Sequence, residues 1–225
     1  MGIVNFGIPE QETRWLKEKM NLTTVVEGGT YQGGTAKKLS KEFKNVYTIE
    51  KSNVMFEKAK ENIGSIQNIT QLRGDTRDHL PSLASQNDNI LFWLDAHWSG
   101  GDTYGEQDEC PLLQELEIIF SSAMKNYAIL IDDARLFLAP PPLPHKVKNW
   151  PAIKQVADVI PFNFDMIVHE DVIYVVPNEI GFPEYIQGRT TASWLKYAEM
   201  NRPTIKNFFV DLLVSIAASF KKKRD

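Results

Sequence analysis

Residues 23–43, TTVVEGGTYQGGTAKKLSKEF, decide how the chain is read. A β-branched run from Thr23 to Gly28 stops at glycines, and a helical pattern takes over from Thr35 to Phe43. This is a strand, a turn and a crossover helix. The turn carries Glu27, Gly28, Gly29, Gly33 and Gly34. Glycine at such a turn permits positive φ and lets the backbone come close to a ligand, as dinucleotide-binding loops do. The spacing is not GxGxxG, and no Gly-Lys-Ser/Thr follows, which argues against a triphosphate-binding loop.

Outward from this unit the alternation continues. NVYTIE (Asn45–Glu50) reads as a second strand, followed by the helix NVMFEKAKENI. NITQLRGD (Asn68–Asp75) is a third strand leading into a short helix that ends near Leu83. NILFWLDA (Asn89–Ala96) is apolar throughout, which marks a central strand covered on both faces. Pro111 suits a helix start, and PLLQELEIIFSS carries an apolar helical face. YAILIDD (Tyr127–Asp133) is a fifth strand. The proline-dense stretch ARLFLAPPPLPHKVKNWPAI is too irregular for a regular element and too apolar for an inert linker, so it reads as a packed loop. NFDMIVHEDVIYVVP forms two strands about His169-Glu170-Asp171. Five βα-type units closed by an antiparallel hairpin predict an α/β domain with a mainly parallel sheet.

The candidate site residues lie where strands end. Glu50 closes the second strand, where an acid can accept both ribose hydroxyls, or it is a solvated strand-end carboxylate. Asp75 and Thr76 follow the third strand, within reach of a nucleobase edge, though Asp75 can equally cap the next helix. Asp95 ends the fourth strand, with His97 two residues on, and Asp132 and Asp133 end the fifth. Carboxylates converging there repel one another unless a cation compensates them, and an oxygen-only set suits magnesium better than zinc. A neutral His97 can accept a hydroxyl proton near neutral pH, or it is a packed, hydrogen-bonded histidine. His145 is a second candidate base. The loop SGGDTYGEQDECP, with Asp102, Glu106, Asp108 and Glu109, is either a mobile cover or a solvated surface. Aromatic and proline residues of 137–150 can wall an acceptor pocket.

In the order and spacing of Glu27-x-Gly29-x-x-x-Gly33, then Glu50, then Gly74-Asp75, the sequence resembles the class I S-adenosylmethionine-dependent methyltransferases over about Thr23 to Pro177. The resemblance implies a Rossmann-like, doubly wound, mostly parallel seven-stranded sheet with a C-terminal antiparallel hairpin and helices on both faces. It implies a cofactor site of Glu27, Gly28, Gly29, Thr30, Gly33, Glu50, Lys51, Gly74, Asp75, Thr76 and Asp95. Within it Gly29 lines the methionine part, Glu27 lies near its amino group, Glu50 binds ribose and Asp75 binds adenine. Asp95, Asp132 and Asp133 match the magnesium ligands of the metal-dependent O-methyltransferases that act on sugars of macrolide and aminocoumarin antibiotics. His97 stands where that group has its second aspartate, the base. The implied function is methyl transfer to a hydroxyl of a sugar or other polyol, with His97 and Asp95 as catalytic residues. A metal-free methyltransferase and a non-catalytic nucleoside-binding module are the alternatives.

Composition narrows the rest. The 225 residues are 43% hydrophobic and 24% charged with a net charge of −4, an ordinary globular balance with no basic excess for nucleic acid. The lone Cys110 excludes an internal disulfide, lacks basic surroundings, and reads as structural. The start lacks a signal-peptide pattern and no run reaches a membrane span, so a cytoplasmic protein is expected. The expected organisation is an N-terminal helical cap over 1–22, a methyltransferase domain over 23–177, and a helical extension over 178–225. The basic end, Lys221 to Arg224, follows an apolar segment. It suits either a helix packed on its own domain or a second subunit, giving a homo-oligomer, or weak contact with an anionic membrane surface.

Overall fold

The computed structural model describes residues 7–100, 103, 105 and 108–200. The chain forms two compact units, divided between Ile180 and Gly181. The first opens with α1 (Glu10–Met20), β1 (Thr24–Gly28), α2 (Gly34–Leu39), β2 (Asn45–Glu50), α3 (Asn53–Ile63), β3 (Ile69–Arg73) and α4 (Thr76–Gln86). It continues through β4 (Ile90–Leu94), α5 (Leu112–Phe120), β5 (Tyr127–Ile131), α6 (Arg135–Leu138), α7 (Ile153–Asp158), β6 (Phe164–His169) and β7 (Val172–Pro177).

Local chemistry explains where helices begin. The Ser52 hydroxyl accepts from Met55 N at the start of α3, and the Asp75 carboxylate accepts from Arg77 N at the start of α4, each satisfying an orphan donor of the first turn. Met55, Ala59 and Ile63, spaced four apart, bury one face of α3. The seven strands run in the order β3-β2-β1-β4-β5-β7-β6, parallel except that β7 is antiparallel to both β5 and β6. This is the expected sheet with its closing hairpin. Every residue of β1, β4 and β5 is buried, as continuous apolar runs require when both sheet faces are covered. Val26, Phe92, Ile129 and Val175 join Leu80, Leu83, Leu112, Leu116 and Val156 of α4, α5 and α7 in one core cluster.

Register places the site. Gly28 pairs with Ile49 and Leu94, and Leu94 pairs with Ile131, so these strand ends lie level. The ladder runs one step further: Asp95 N donates to Gly28 O at 2.9 Å and Asp132 N to Leu94 O at 3.1 Å. The strand order reverses between β1 and β4, the crevice in which open α/β sheets bind ligands.

Two readings change. The helix expected to reach Phe43 ends at Leu39 and continues as turns. The proline-dense stretch is not wholly irregular: it opens with the single turn α6 and includes a 3-10 turn at Val147–Asn149, both too short to leave a period in the sequence. The hairpin turns on Glu170 and Asp171, both at positive φ (46° and 69°), the handedness that a two-residue connection needs.

The second unit contains α8 (Phe182–Met200). The basic end falls at 201–225, outside the described residues. Among the described residues no helix is long and apolar enough to cross a membrane.

Candidate active site

A cavity of about 460 Å³ opens over the carboxyl ends of β1, β2, β4 and β5, within the usual size range of a small-molecule site. Gly29 lines it at φ +90°, and a Cβ there would stand 2.1 Å from the carbonyl oxygen of Asp95. Only glycine fits. Backbone bonds from Gly29 N and Thr30 N to Ile49 O hold the loop, and Gly33, at φ +77°, turns it into α2. Glu50 faces the cavity with one oxygen accepting from Tyr31 N and the other from Ser52 N, each at 2.8 Å. Burial raises its pKa above the ordinary carboxylate value despite those bonds. With the Lys51 backbone N–H as a third donor, the carboxylate still keeps acceptor capacity for a ligand's hydroxyl group.

Beside it, Asp75 is enclosed by cations. Lys51 Nζ and Arg77 NH2 each lie 2.6 Å from Oδ2, and Arg77 Nε lies 2.8 Å from Oδ1. Burial opposes ionisation, but these donors outweigh it and hold the carboxyl well below its usual range. Arg77 also reaches Asp108, at 2.6 Å, tying the cavity wall to the loop after β4. Thr76 gives its hydroxyl to Glu115 of α5, a carboxyl buried deeply enough that its pKa rises to about 7. Glu27 lies beneath the glycine loop, only 1% exposed, accepting from the Thr48 hydroxyl at 2.5 Å. Burial pushes it up to about 8, so it is a neutral acid at physiological pH.

Of the expected cofactor residues, Gly29, Glu50, Lys51, Gly74, Asp75, Thr76 and Asp95 line the cavity together. Glu27, Gly28, Thr30 and Gly33 are not on its wall. The Thr30 hydroxyl lies 2.6 Å from that of Thr48, so Thr30 and Glu27 brace the loop from below.

At the far end of the cavity Asp95, His97, Asp132 and Asp133 meet. His97 Nε2 lies 3.3 Å from Asp95 Oδ1 and 3.2 Å from Asp133 Oδ2, straddling the two without a well-aligned hydrogen bond to either. Its ring packs against Trp150, centroids 5.3 Å apart, and Nδ1 is buried with no partner among the described residues. Burial disfavours the imidazolium, but Asp133 and Asp95 prevail and the His97 pKa is raised. Asp95 is lifted well above the carboxylate range by burial and by its acidic neighbours, with His97 acting against them. Asp132 rises to about 7 by burial and by the charge of Asp133. Asp133 goes the other way: His97 and Arg135 overcome its burial and keep it ionised. Its backbone sits at φ +57°, its N–H donating to Asp132 Oδ1. Among residues with a side chain, asparagine and aspartate tolerate this region best.

The loop after β4 is organised by a residue that composition alone places on the surface. Glu109 is 0% exposed and gathers donors from the proline-dense segment: Lys146 N at 3.0 Å, Trp150 Nε1 at 2.7 Å and Asn149 Nδ2 at 3.3 Å, with His145 Nδ1 3.3 Å away. Those donors outweigh burial and lower its pKa. His145 is thereby a partner of Glu109 and is not on the cavity wall. Among the other loop acids, Asp108 lines the cavity, and Asp102 and Glu106 fall outside the described residues. Burial pushes the Cys110 thiol up to about 12, so it stays protonated.

No protein-family profile matches this sequence, nor does any curated protein. Solved structures do match in fold. A Staphylococcus aureus protein assigned by name to the caffeoyl-CoA O-methyltransferases superposes with a TM-score of 0.53 at 15% identity, over 77% of this chain and 86% of that one. Cofactor-bound Rv0187 from MTB gives 0.51 at 16% identity, over 76% and 81%. The chain has the Rossmann-like fold of these proteins.

The magnesium site implied by the sequence resemblance does not fit the residues as arranged. Among the described residues no three His, Cys, Asp or Glu side chains are grouped to hold a metal. Asp95 and Asp133 face His97, while Asp132 accepts the backbone N–H of Asp133.

Proposed function

We propose that the protein is an S-adenosylmethionine-dependent O-methyltransferase acting on a hydroxyl of a small acceptor, a sugar or other polyol being the class first expected. One observation carries this reading: a single cavity joins a glycine-lined, Glu50-bearing nucleoside end to an end where Asp95 and His97 lie 3.3 Å apart. The cradle at Gly29 fits a cofactor that needs close backbone approach. Glu50 is set to receive ribose hydroxyls, and Asp75, Thr76 and Lys51 to flank the nucleobase, leaving the methionine part for Gly29.

When bound, S-adenosylmethionine supplies a methyl group on a sulfonium, an electrophile that needs no further activation. The chain's task is then to hold the acceptor hydroxyl and remove its proton. Asp95 and His97 both line the cavity, so the proton passes to the Asp95–His97 pair, which titrates as a unit. Asp133 keeps the imidazole in place from its other side. Trp150 and Phe137, with centroids 5.8 Å apart, back the histidine and keep water from the ring.

The reading is tested by incubating the protein with methyl-labelled S-adenosylmethionine and a panel of sugars, polyols and catechols, with magnesium and with chelator. Transfer to an oxygen acceptor that His97→Ala lowers by at least about a hundredfold, within the usual range for a proton-transfer group, supports it. Transfer indifferent to both Asp95→Asn and His97→Ala removes the pair from the chemistry. A magnesium requirement would restore the metal-assisted version.

A further inference from the structure

Three carboxylates crowd the acceptor end of the cavity, and in a partly buried site such a cluster needs a counter-charge. Arg135, the first residue of α6, lines the same cavity, with NH1 2.7 Å from Asp133 Oδ1. Its place is set from outside the cluster by Asp171, in the turn of the β6–β7 hairpin. Asp171 binds NH1 through one carboxylate oxygen and accepts Arg135 N at 2.9 Å through the other, while its carbonyl accepts Ala134 N at 2.8 Å. Side chain and backbone of one arginine are thus held by one aspartate, which keeps the half-exposed guanidinium beside Asp133. Arginine stays charged at any physiological pH and suits partly buried ion pairs.

We propose that Arg135, positioned by Asp171, is the built-in cation of this site and stands in the place of a divalent metal. This deepens the methyl-transfer reading and rests on it for the purpose of the cavity. Together with His97, Arg135 gives the cluster counter-charge from within the folded chain, and the site works without added magnesium. The same reasoning has a converse. With the guanidinium removed, Asp133 loses its arginine partner and the cluster keeps only His97 as counter-charge, so the site gains affinity for a divalent cation.

The test uses the full chain and the metal alone. MgCl₂ and MnCl₂ are titrated calorimetrically, at matched ionic strength, into wild type, Arg135→Ala and Arg135→Lys, and melting temperatures are recorded in parallel. Wild type is expected to show no saturable binding up to about 10 mM. Arg135→Ala is expected to bind Mn²⁺ at least about tenfold more tightly than wild type, and near saturation to gain roughly 5–10 °C in melting temperature on metal addition. Arg135→Lys, which keeps the charge, is expected to behave as wild type, an outcome that a merely structural role for the arginine does not predict. Saturable metal binding by wild type, or an Arg135→Ala protein indistinguishable from wild type, overturns the proposal. Should Arg135→Ala fail to fold, Arg135→Gln takes its place and the wild-type titration still decides. S-adenosylhomocysteine titrated into wild type is read separately: its failure sinks the methyl-transfer reading and leaves the metal result standing.

Discussion

Replacing Gly29 by alanine is the sharpest perturbation of this fold, because one methyl group strikes two parts of the site together. The added Cβ would lie 2.1 Å from Asp95 O and 2.7 Å from Asp95 C. Both are backbone atoms at a strand end that donates its own N–H to Gly28 O, so no rotamer change relieves the contact. Reaching ordinary contact, which begins near 3.4 Å, requires the loop and the end of β4 to separate by at least about 1.3 Å, and overpacking of that kind costs about 1–3 kcal/mol. The φ of +90° adds strain of about 1–2 kcal/mol for a residue with a Cβ. The expected loss is therefore about 2–5 kcal/mol, a large part of the roughly 5–15 kcal/mol that stabilises a typical domain. Urea denaturation measures it, and calorimetric titration of S-adenosylhomocysteine measures the local effect, expected to be at least a tenfold loss of affinity, or about 1.4 kcal/mol. A variant within about 0.5 kcal/mol of wild type that binds the ligand unchanged would refute the close approach of the glycine loop to Asp95.

Three further outcomes are expected. Glu50→Gln loses the charge and one of the two acceptors for Tyr31 N and Ser52 N, so affinity for S-adenosylhomocysteine should fall by about ten- to a hundredfold with a stability loss of about 1–2 kcal/mol, measured by calorimetry and urea titration. Glu109→Ala strands the buried donors of Trp150 and Lys146 and should cost about 2–5 kcal/mol, while faster hydrogen exchange over residues 139–150 reports the segment's release. Glu27 has a folded pKa near 8 against an ordinary 4.5. The folded state therefore holds the proton more tightly, and this contribution to stability is complete below 4.5 and lost as pH rises through 8. Glu27→Gln should flatten the decline of stability between pH 5 and 8, and an unchanged slope in urea titrations across that range would show that Glu27 is not buried as a neutral acid.

The backbone of the site was largely legible in the sequence. β2 at Asn45–Glu50 and α3 at Asn53–Ile63 lie where their patterns put them, because each combines a clear period with its own start or stop signal. The juxtaposition of Asp95 with Asp132 followed from topology, since β4 and β5 are neighbours in register. What escaped the sequence depends on partners far along the chain. Glu109 looks like one more acid in a polar loop, and donors from Lys146, Asn149 and Trp150, the last 41 residues away, make it a buried hub. Glu115 occupies a polar position of an amphipathic helix and is buried by Thr76, 39 residues earlier. Arg135 and Asp171, 36 residues apart, meet because an antiparallel hairpin returns beside β5. No local pattern signals such pairs. The expectation of a metal counted carboxylates at the strand ends, and a sequence does not show that among the described residues no three such side chains are grouped to hold one.

The measurement that bears most directly on the account is calorimetric titration of S-adenosylhomocysteine into the full-length protein, with magnesium and again with chelator. The account predicts saturable one-to-one binding of equal affinity in both buffers, weakened at least about tenfold by Gly29→Ala. Absence of binding in both buffers would contradict it, because the cavity bounded by Gly29 and Glu50 would then not be a nucleoside site.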